Sequence, residues 1–196
     1  RDMPDYSRGA LVHSQPHDES VLLGPLVSMT MRQNYTLDFS MRWENRLPST
    51  TWQYGYLVFG REHDGPFGIA SKFRGEATDG CYVLTLRPGG RVRDENGKYL
   101  SGDIAQVLRY DPAKRGKEPV VLHTMKLEKP LAANRNIDGK IIVKKDFFYY
   151  VINGQYSPRL NDTAHRGPYV HFGRYHGNSN GGPLALTRMV ARESWA

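Results

Sequence analysis

Ten residues, Gly167 to His176 (GPYVHFGRYH), bring two tyrosines, two histidines and an arginine into one run with strand-like alternation. These side chains suit proton transfer beside an anion: His or Tyr serves as general base or acid, and Arg neutralises a carboxylate. Read with a period of two, Tyr169, His171, Gly173 and Tyr175 point to one side and Val170, Phe172, Arg174 and His176 to the other. Val170 and Phe172 mark the second side as the core side. That leaves Tyr169, His171 and Tyr175 for a polar groove, with Arg174 and His176 as the rival set unless a bulge intervenes. A second run, Gln53 to His63 (QYGYLVFGREH), carries Tyr54 and Tyr56 on one face and ends on Arg61 and His63, which can join the first set. Trp52 beside it and Arg74 further on complete the candidate contacts. Tyr54, Tyr56, Trp52 and Tyr175 are aromatic platforms, and Arg61 or Arg74 is set against a carboxylate.

Strands must position these groups. The clearest is Tyr35 to Glu44, where Tyr35, Leu37, Phe39, Met41 and Trp43 alternate with Thr36, Asp38, Ser40, Arg42 and Glu44. Further strands are expected over Phe67 to Phe73, Cys81 to Arg87, Ile104 to Tyr110, Pro119 to Glu128 and Pro183 to Glu193. Pro88-Gly89-Gly90 reads as a reversal, and the charged stretch from Arg91 to Lys117 as a salt-bridged excursion. Asp138 to Tyr156 reads as a hairpin turning at Lys144-Lys145-Asp146, followed by a type I′ turn at Asn153-Gly154. Arg1 to Ser20 is a polar, irregular arm. Its His13 and His17 are four apart, but Pro16 between them opposes the helix that a metal pair would need.

The chain has 196 residues, which suits one domain spanning 1–196, with 20 Gly and 12 Pro for many turns. The single cysteine, Cys81, excludes an intrachain disulfide and a cysteine-based zinc site, and its apolar neighbours mark it as core. His123, also set among apolar residues, reads as a satisfied core histidine. With 27 Lys plus Arg against 20 Asp plus Glu, the surface favours anionic partners. The basic residues are scattered rather than set in a nucleic-acid-binding motif, which disfavours nucleic acid. No apolar run approaches the roughly 20 residues that span a bilayer, so no membrane partner is expected. Sequons at Asn34 and Asn161 suit a eukaryotic secretory route and tilt the compartment slightly towards secreted; the expected location is secreted or periplasmic.

The segments TLDFSMRW, KIIVKKDFFYYVINGQ, and GPYVHFGRYHG followed by LALTRMVARE resemble, in that order, recurrent strands of the concanavalin A-like lectin/glucanase superfamily. The resemblance implies an all-β chain folded as a two-sheet antiparallel β-sandwich, or jelly roll. It also implies an acidic polysaccharide or other glycan as partner. Superfamily members include lectins, glycoside hydrolases and polysaccharide lyases, so the fold leaves the activity open. The hydrolase strand Glu-x-Asp-x-x-Glu is absent here, and Glu44, Glu62 and Asp38 are isolated carboxylates. Residue types suit a lyase better: β-elimination from a uronate, with His171 or a neighbouring tyrosine as base and arginine on the carboxylate. The alternatives are a non-catalytic carbohydrate-binding module and then a glycoside hydrolase. No cofactor is expected beyond a structural calcium, for which Asp64, Asp79 or Asp138 offers oxygen.

Overall fold

The computed structural model describes residues 11–13 (backbone only), 20–28, 32–49, 51–65, 67, 80–112, 118–175 and 181–193. Twelve strands run through them: β1 (Leu11–His13), β2 (Val21–Pro25), β3 (Tyr35–Trp43), β4 (Tyr54–Gly60), β5 (Cys81–Arg93) and β6 (Tyr99–Tyr110), then β7 (Val120–Lys126), β8 (Ile137–Val143), β9 (Phe148–Ile152), β10 (Gln155–Tyr156), β11 (Gly167–Tyr175) and β12 (Leu184–Glu193). They form two antiparallel sheets, ordered β1-β12-β3-β8-β9-β10 and β2-β11-β4-β5-β6-β7. This is the expected two-sheet β-sandwich. No helix among the described residues is long and apolar enough to cross a membrane.

Period-two burial places the core between the sheets. On β3, Tyr35, Leu37, Phe39, Met41 and Trp43 all face it, as their alternation predicts. Opposite them lie Leu57 and Phe59 of β4, Tyr82 and Leu84 of β5, and Val170 and Phe172 of β11. Asn153 and Gly154 take φ values of 48° and 80°, the left-handed pair that a type I′ turn requires. His123 sits against the core with Nδ1 2.8 Å from the Tyr150 hydroxyl, as expected of a satisfied histidine.

Two readings are corrected. Pro88-Gly89-Gly90 does not reverse the chain: β5 continues through it as a bulge, with Arg87 opposite Ile104 and Gly90 opposite Gly102. The reversal comes at Asp94, whose carboxylate accepts from the amides of Asn96 (2.8 Å) and Lys98 (2.9 Å). Much of the supposed charged excursion is therefore a long ribbon. Secondly, the strand expected over Pro183 to Glu193 is interrupted. A bulge between Leu186 and Arg188 resets its alternation, so Leu184 and Leu186 face inward, then Met189 and Ala191, while Arg188 and Arg192 are exposed. The strand expected over Phe67 to Phe73 lies outside the described residues apart from Phe67.

A polar knot fixes the loop that feeds β11. Asp162 accepts from the Tyr82 hydroxyl at 2.5 Å and is ion-paired with Arg109, while Arg166 donates to the Asp162 and Lys144 carbonyls at 2.8 and 3.1 Å. Burial pushes the Asp162 carboxyl up, but the hydrogen bonds from Tyr82 and Arg109 outweigh it and hold its pKa below the usual carboxylate value. Burial and the same bond push Tyr82 up to about 12. A depressed folded-state pKa contributes stability above the unfolded carboxylate's value and loses it as pH falls through the folded one. Asp162→Asn should therefore cost about 1–2 kcal/mol at neutral pH and flatten the fall in stability below about pH 4. Urea titrations at several pH values check this; an equally steep acid limb in both proteins refutes it.

Candidate functional site

On β11 the alternation follows the sequence reading. Val170, Phe172 and Arg174 face the core side, and His171 and Tyr175 face outward. A bulge between Val170 and His171 interrupts pairing with β2, and half-buried Tyr169 lies on its far side, its amide donating to the Arg61 carbonyl at 3.1 Å. Across the outer face of this sheet, register sets Tyr175 beside Tyr54, whose ring lies against Arg87, and builds a second row of His171, Val58, Val83 and Leu108.

The His171 row is closed. His171 is 1% exposed, with Nε2 3.0 Å from Arg61 Nη1 and Nδ1 3.2 Å from Ser20 Oγ. Ser20 Oγ donates to the Phe67 carbonyl at 2.9 Å, and Arg61 Nη1 donates to the Gly65 carbonyl at 2.5 Å. This network assigns the neutral Nδ1–H tautomer, because Arg61 can only donate to Nε2 and Ser20 has already given its proton to Phe67. Arg61, 3% exposed, also lies over the Phe67 ring at 5.3 Å. His63 is exposed in the following loop. Arg174 is buried and donates to the Gly182 carbonyl at 2.7 Å, with burial lowering its pKa. Arg74 and His176 lie outside the described residues, as does Asp79.

The Tyr175 row is open at its edge. Tyr54 and Tyr175 stack at 5.3 Å and 24°, and Trp52, 38% exposed, meets Tyr175 edge-on at 6.1 Å. Tyr56, fully buried beneath, meets Tyr54 edge-on at 6.1 Å. Gly173 leaves Tyr56 its space, since a Cβ there would lie 2.6 Å from the Tyr56 hydroxyl.

Arg87 was not among the candidates, although alternation with Cys81, Val83 and Thr85 places it on this face. Its guanidinium lies 4.0 Å from the Tyr54 ring centre, its buried Nε has no hydrogen-bond partner among the described residues, and burial lowers its pKa against the raising effect of Tyr54, Tyr110 and Tyr175. The ribbon adds more cations. Gln106 donates to the Arg93 carbonyl at 2.9 Å, yet Gln106 pairs with Thr85, eight positions from Arg93 along β5. An extended strand would separate those positions by about 26 Å, so the ribbon folds back over the sheet's outer face. Its Arg91 amide donates to the Thr51 carbonyl at 3.2 Å, next to Trp52. Exposed Tyr99 lies 4.4 Å from the Arg91 guanidinium and 4.3 Å from that of Arg93. The result is an aromatic and basic rim of Trp52, Tyr175, Arg87, Arg91, Arg93 and Tyr99.

The hydrolase candidates do not meet there. Glu62 is ion-paired with Arg32, Glu44 lies 3.5 Å from Arg42, and Asp38 lies 2.8 Å from Arg188 on the other sheet. Among the described residues no three His, Cys, Asp or Glu side chains converge as a metal site. Asp64 is exposed, and Asp138 accepts from the Ser40 hydroxyl at 2.5 Å on the other sheet.

No family model and no curated protein sequence matches the chain. Solved structures do. The metal-free Emp46p carbohydrate recognition domain aligns over 100% of this chain and 88% of its own, at 10% identity and a TM-score of 0.72. The alginate lyase A1-II′, a member of polysaccharide lyase family-7, aligns over 96% and 81% at 14% identity with a TM-score of 0.54. The carbohydrate binding module CBM66 from Bacillus subtilis aligns over 83% and 76% at 12% identity with a TM-score of 0.53. The chain has a concanavalin A-like jelly-roll fold. Among the described residues on the outer face of the β4 sheet, Trp52 is exposed and Tyr175 half-buried, whereas His171 is buried.

Proposed function

We propose that this concanavalin A-like domain binds an acidic polysaccharide at the rim formed by Trp52, Tyr175, Arg87, Arg91, Arg93 and Tyr99. The observation that carries this reading is the Tyr54–Tyr175 stack with Arg87 at 4.0 Å from Tyr54 and exposed Trp52 alongside. Aromatic faces suit the apolar faces of pyranose rings, and guanidinium groups hold carboxylates through paired hydrogen bonds. The net charge of +7 brings a polyanion in. Solved neighbours titled as a carbohydrate recognition domain and a carbohydrate binding module lend support from the fold. The domain acts outside the cytoplasm, secreted or periplasmic. Trp52→Ala with Arg91→Ala should weaken binding to a uronate polymer about tenfold or more, with unfolding unchanged, and binding should weaken with salt. Calorimetric titration checks this; wild-type affinity in the double variant refutes the site.

A second reading, β-elimination from that uronate, is favoured by the tyrosines grouped around Arg87. Arginine on the carboxylate acidifies the C5 proton, and a tyrosine oxygen takes it while passing its own hydroxyl proton to the leaving oxygen. The electron pair from the C5–H bond forms the C4–C5 double bond as the C4–O bond breaks. Turnover would appear as ultraviolet absorbance of the unsaturated product and disappear in Tyr175→Phe while binding persists. Binding without that absorbance on any uronate polymer excludes the enzyme reading.

A further inference from the structure

The other sheet carries an aromatic run that its core does not use. Phe147 just before β9, Tyr149 on β9 and Tyr156 on β10 form a line of near-parallel rings. The first pair lies 6.4 Å apart at 17°, the second 6.3 Å apart at 24°. Register produces the line: Tyr149 stands opposite Ile142, and Tyr156 opposite Val151. Ile142 and Val151 are buried beneath, while the intervening Phe148, Tyr150 and Ile152 fill the core from the inner face. Tyr156 is 69% exposed, and the Arg159 guanidinium lies 4.3 Å from the Phe147 ring centre.

A groove follows the rings. It opens as a cavity of about 840 Å³ lined by Asn34, Lys144, Lys145, Phe147, Tyr149 and Arg159, and runs into cavities of about 290 and 350 Å³ that share Tyr156. Charge is graded along it. At the Phe147 end the lining carries Lys144, whose Nζ donates to Asn34 Oδ1 at 3.0 Å, together with Lys145, Arg159 and the carboxylate of Asp146. Towards Tyr156, Lys140, Arg188 and Arg192 are matched by Asp38, Asp138 and Glu193, with Asp38 already 2.8 Å from Arg188 and 3.8 Å from Arg192.

We propose that this outer face is a second glycan-binding site, a shelf for a linear acidic polysaccharide on the opposite side of the sandwich from Trp52. Sugar rings lie along Phe147, Tyr149 and Tyr156, and carboxylates or sulfate esters meet Lys144, Lys145 and Arg159 at the positive end. A straight line of rings in an open groove fits an extended chain, and the one-ended excess of cations sets where its anionic groups sit. Because the two sites face away from each other, the domain can hold two polymer strands and cross-link them. This inference rests on the glycan reading above.

The test is calorimetric stoichiometry with a short oligouronate, a sulfated oligosaccharide and a neutral one, using protein made in a host that leaves Asn34 unglycosylated. Wild type is expected to take two oligouronates per chain, Tyr156→Ala/Arg159→Ala one, Trp52→Ala/Arg91→Ala one, and the combined variant none. Stronger binding of the sulfated probe would identify sulfate as the anion read by the shelf. One equivalent in wild type that survives Tyr156→Ala/Arg159→Ala overturns the shelf and leaves the Trp52 site standing. One equivalent lost only in that variant supports the shelf and overturns the other site. Loss of the second equivalent with Arg159→Ala but not with Tyr156→Ala would mean simple charge attraction and also overturns the shelf. No binding of any probe overturns both sites.

Discussion

Arg61→Ala is expected to lower the thermal midpoint by roughly 10 °C, corresponding to about 3–4 kcal/mol. The side chain is almost wholly buried and donates through Nη1 to the Gly65 carbonyl, with the same nitrogen 3.0 Å from His171 Nε2. Truncation strips a donor from both acceptors and leaves a void against Phe67. His171→Ala should follow at about 2–3 kcal/mol, since Ser20 and Arg61 both lose the ring between them. Scanning calorimetry of both variants beside oligouronate titration separates packing from function. A groove residue would lose ligand binding with its midpoint intact; His171 is expected to show the reverse. A midpoint within about 2 °C of wild type for Arg61→Ala would sink the idea that this network holds the β4–β11 junction together.

Gly167→Ala should be nearly as damaging, at about 3 kcal/mol, through a different cause. A Cβ on Gly167 would lie 2.0 Å from the Arg61 carbonyl oxygen, 2.1 Å from its carbon and 2.5 Å from the Glu62 nitrogen. All three are backbone atoms, so no rotamer change relieves the clash and the strands must part where β11 meets Gly60 of β4. Gly65→Ala is the matched control: among the described residues nothing lies within 4 Å of its Cβ position, and its cost should stay within about 0.5 kcal/mol. Denaturant midpoints for the two variants decide the point. Equal midpoints would show that β4 and β11 have room to separate.

Much of the sandwich was legible in the sequence because one-sided burial writes itself as a period of two. Tyr35 to Trp43 show it on β3, and Val170 and Phe172 fix which side of β11 is core. Asn153-Gly154 was legible for a local reason, the positive φ that both residues tolerate. Closure around His171 was not, since its partners Arg61 and Ser20 stand 110 and 151 residues away in the chain. Nor does composition mark the bulge after Leu186, or tell a Pro-Gly-Gly reversal from a Pro-Gly-Gly bulge inside a continuing strand. Arg87 was the missed opportunity, because alternation with Cys81, Val83 and Thr85 already set it beside Tyr54. Tyr149 and Tyr156 carry no such signal, because the run Phe147 to Tyr150 puts aromatic rings on both faces and the Asn153-Gly154 turn separates the two tyrosines in the chain.

The strand order has a consequence for how the chain is made. β12 lies between β1 and β3, and β11 between β2 and β4, so each of these late strands fills a slot between two early ones. During synthesis β4 gains β5 on one edge early but waits for β11 on the other, while β3 waits with both edges open until β8 is made and with one open until β12 follows. Residues 81–110 can zip into their ribbon at once, because its two arms are joined by a tight turn. Residues 35–60 cannot be sealed on both sides until residues 167–193 arrive, and that interval is when this chain is most exposed to pairing with another copy of itself.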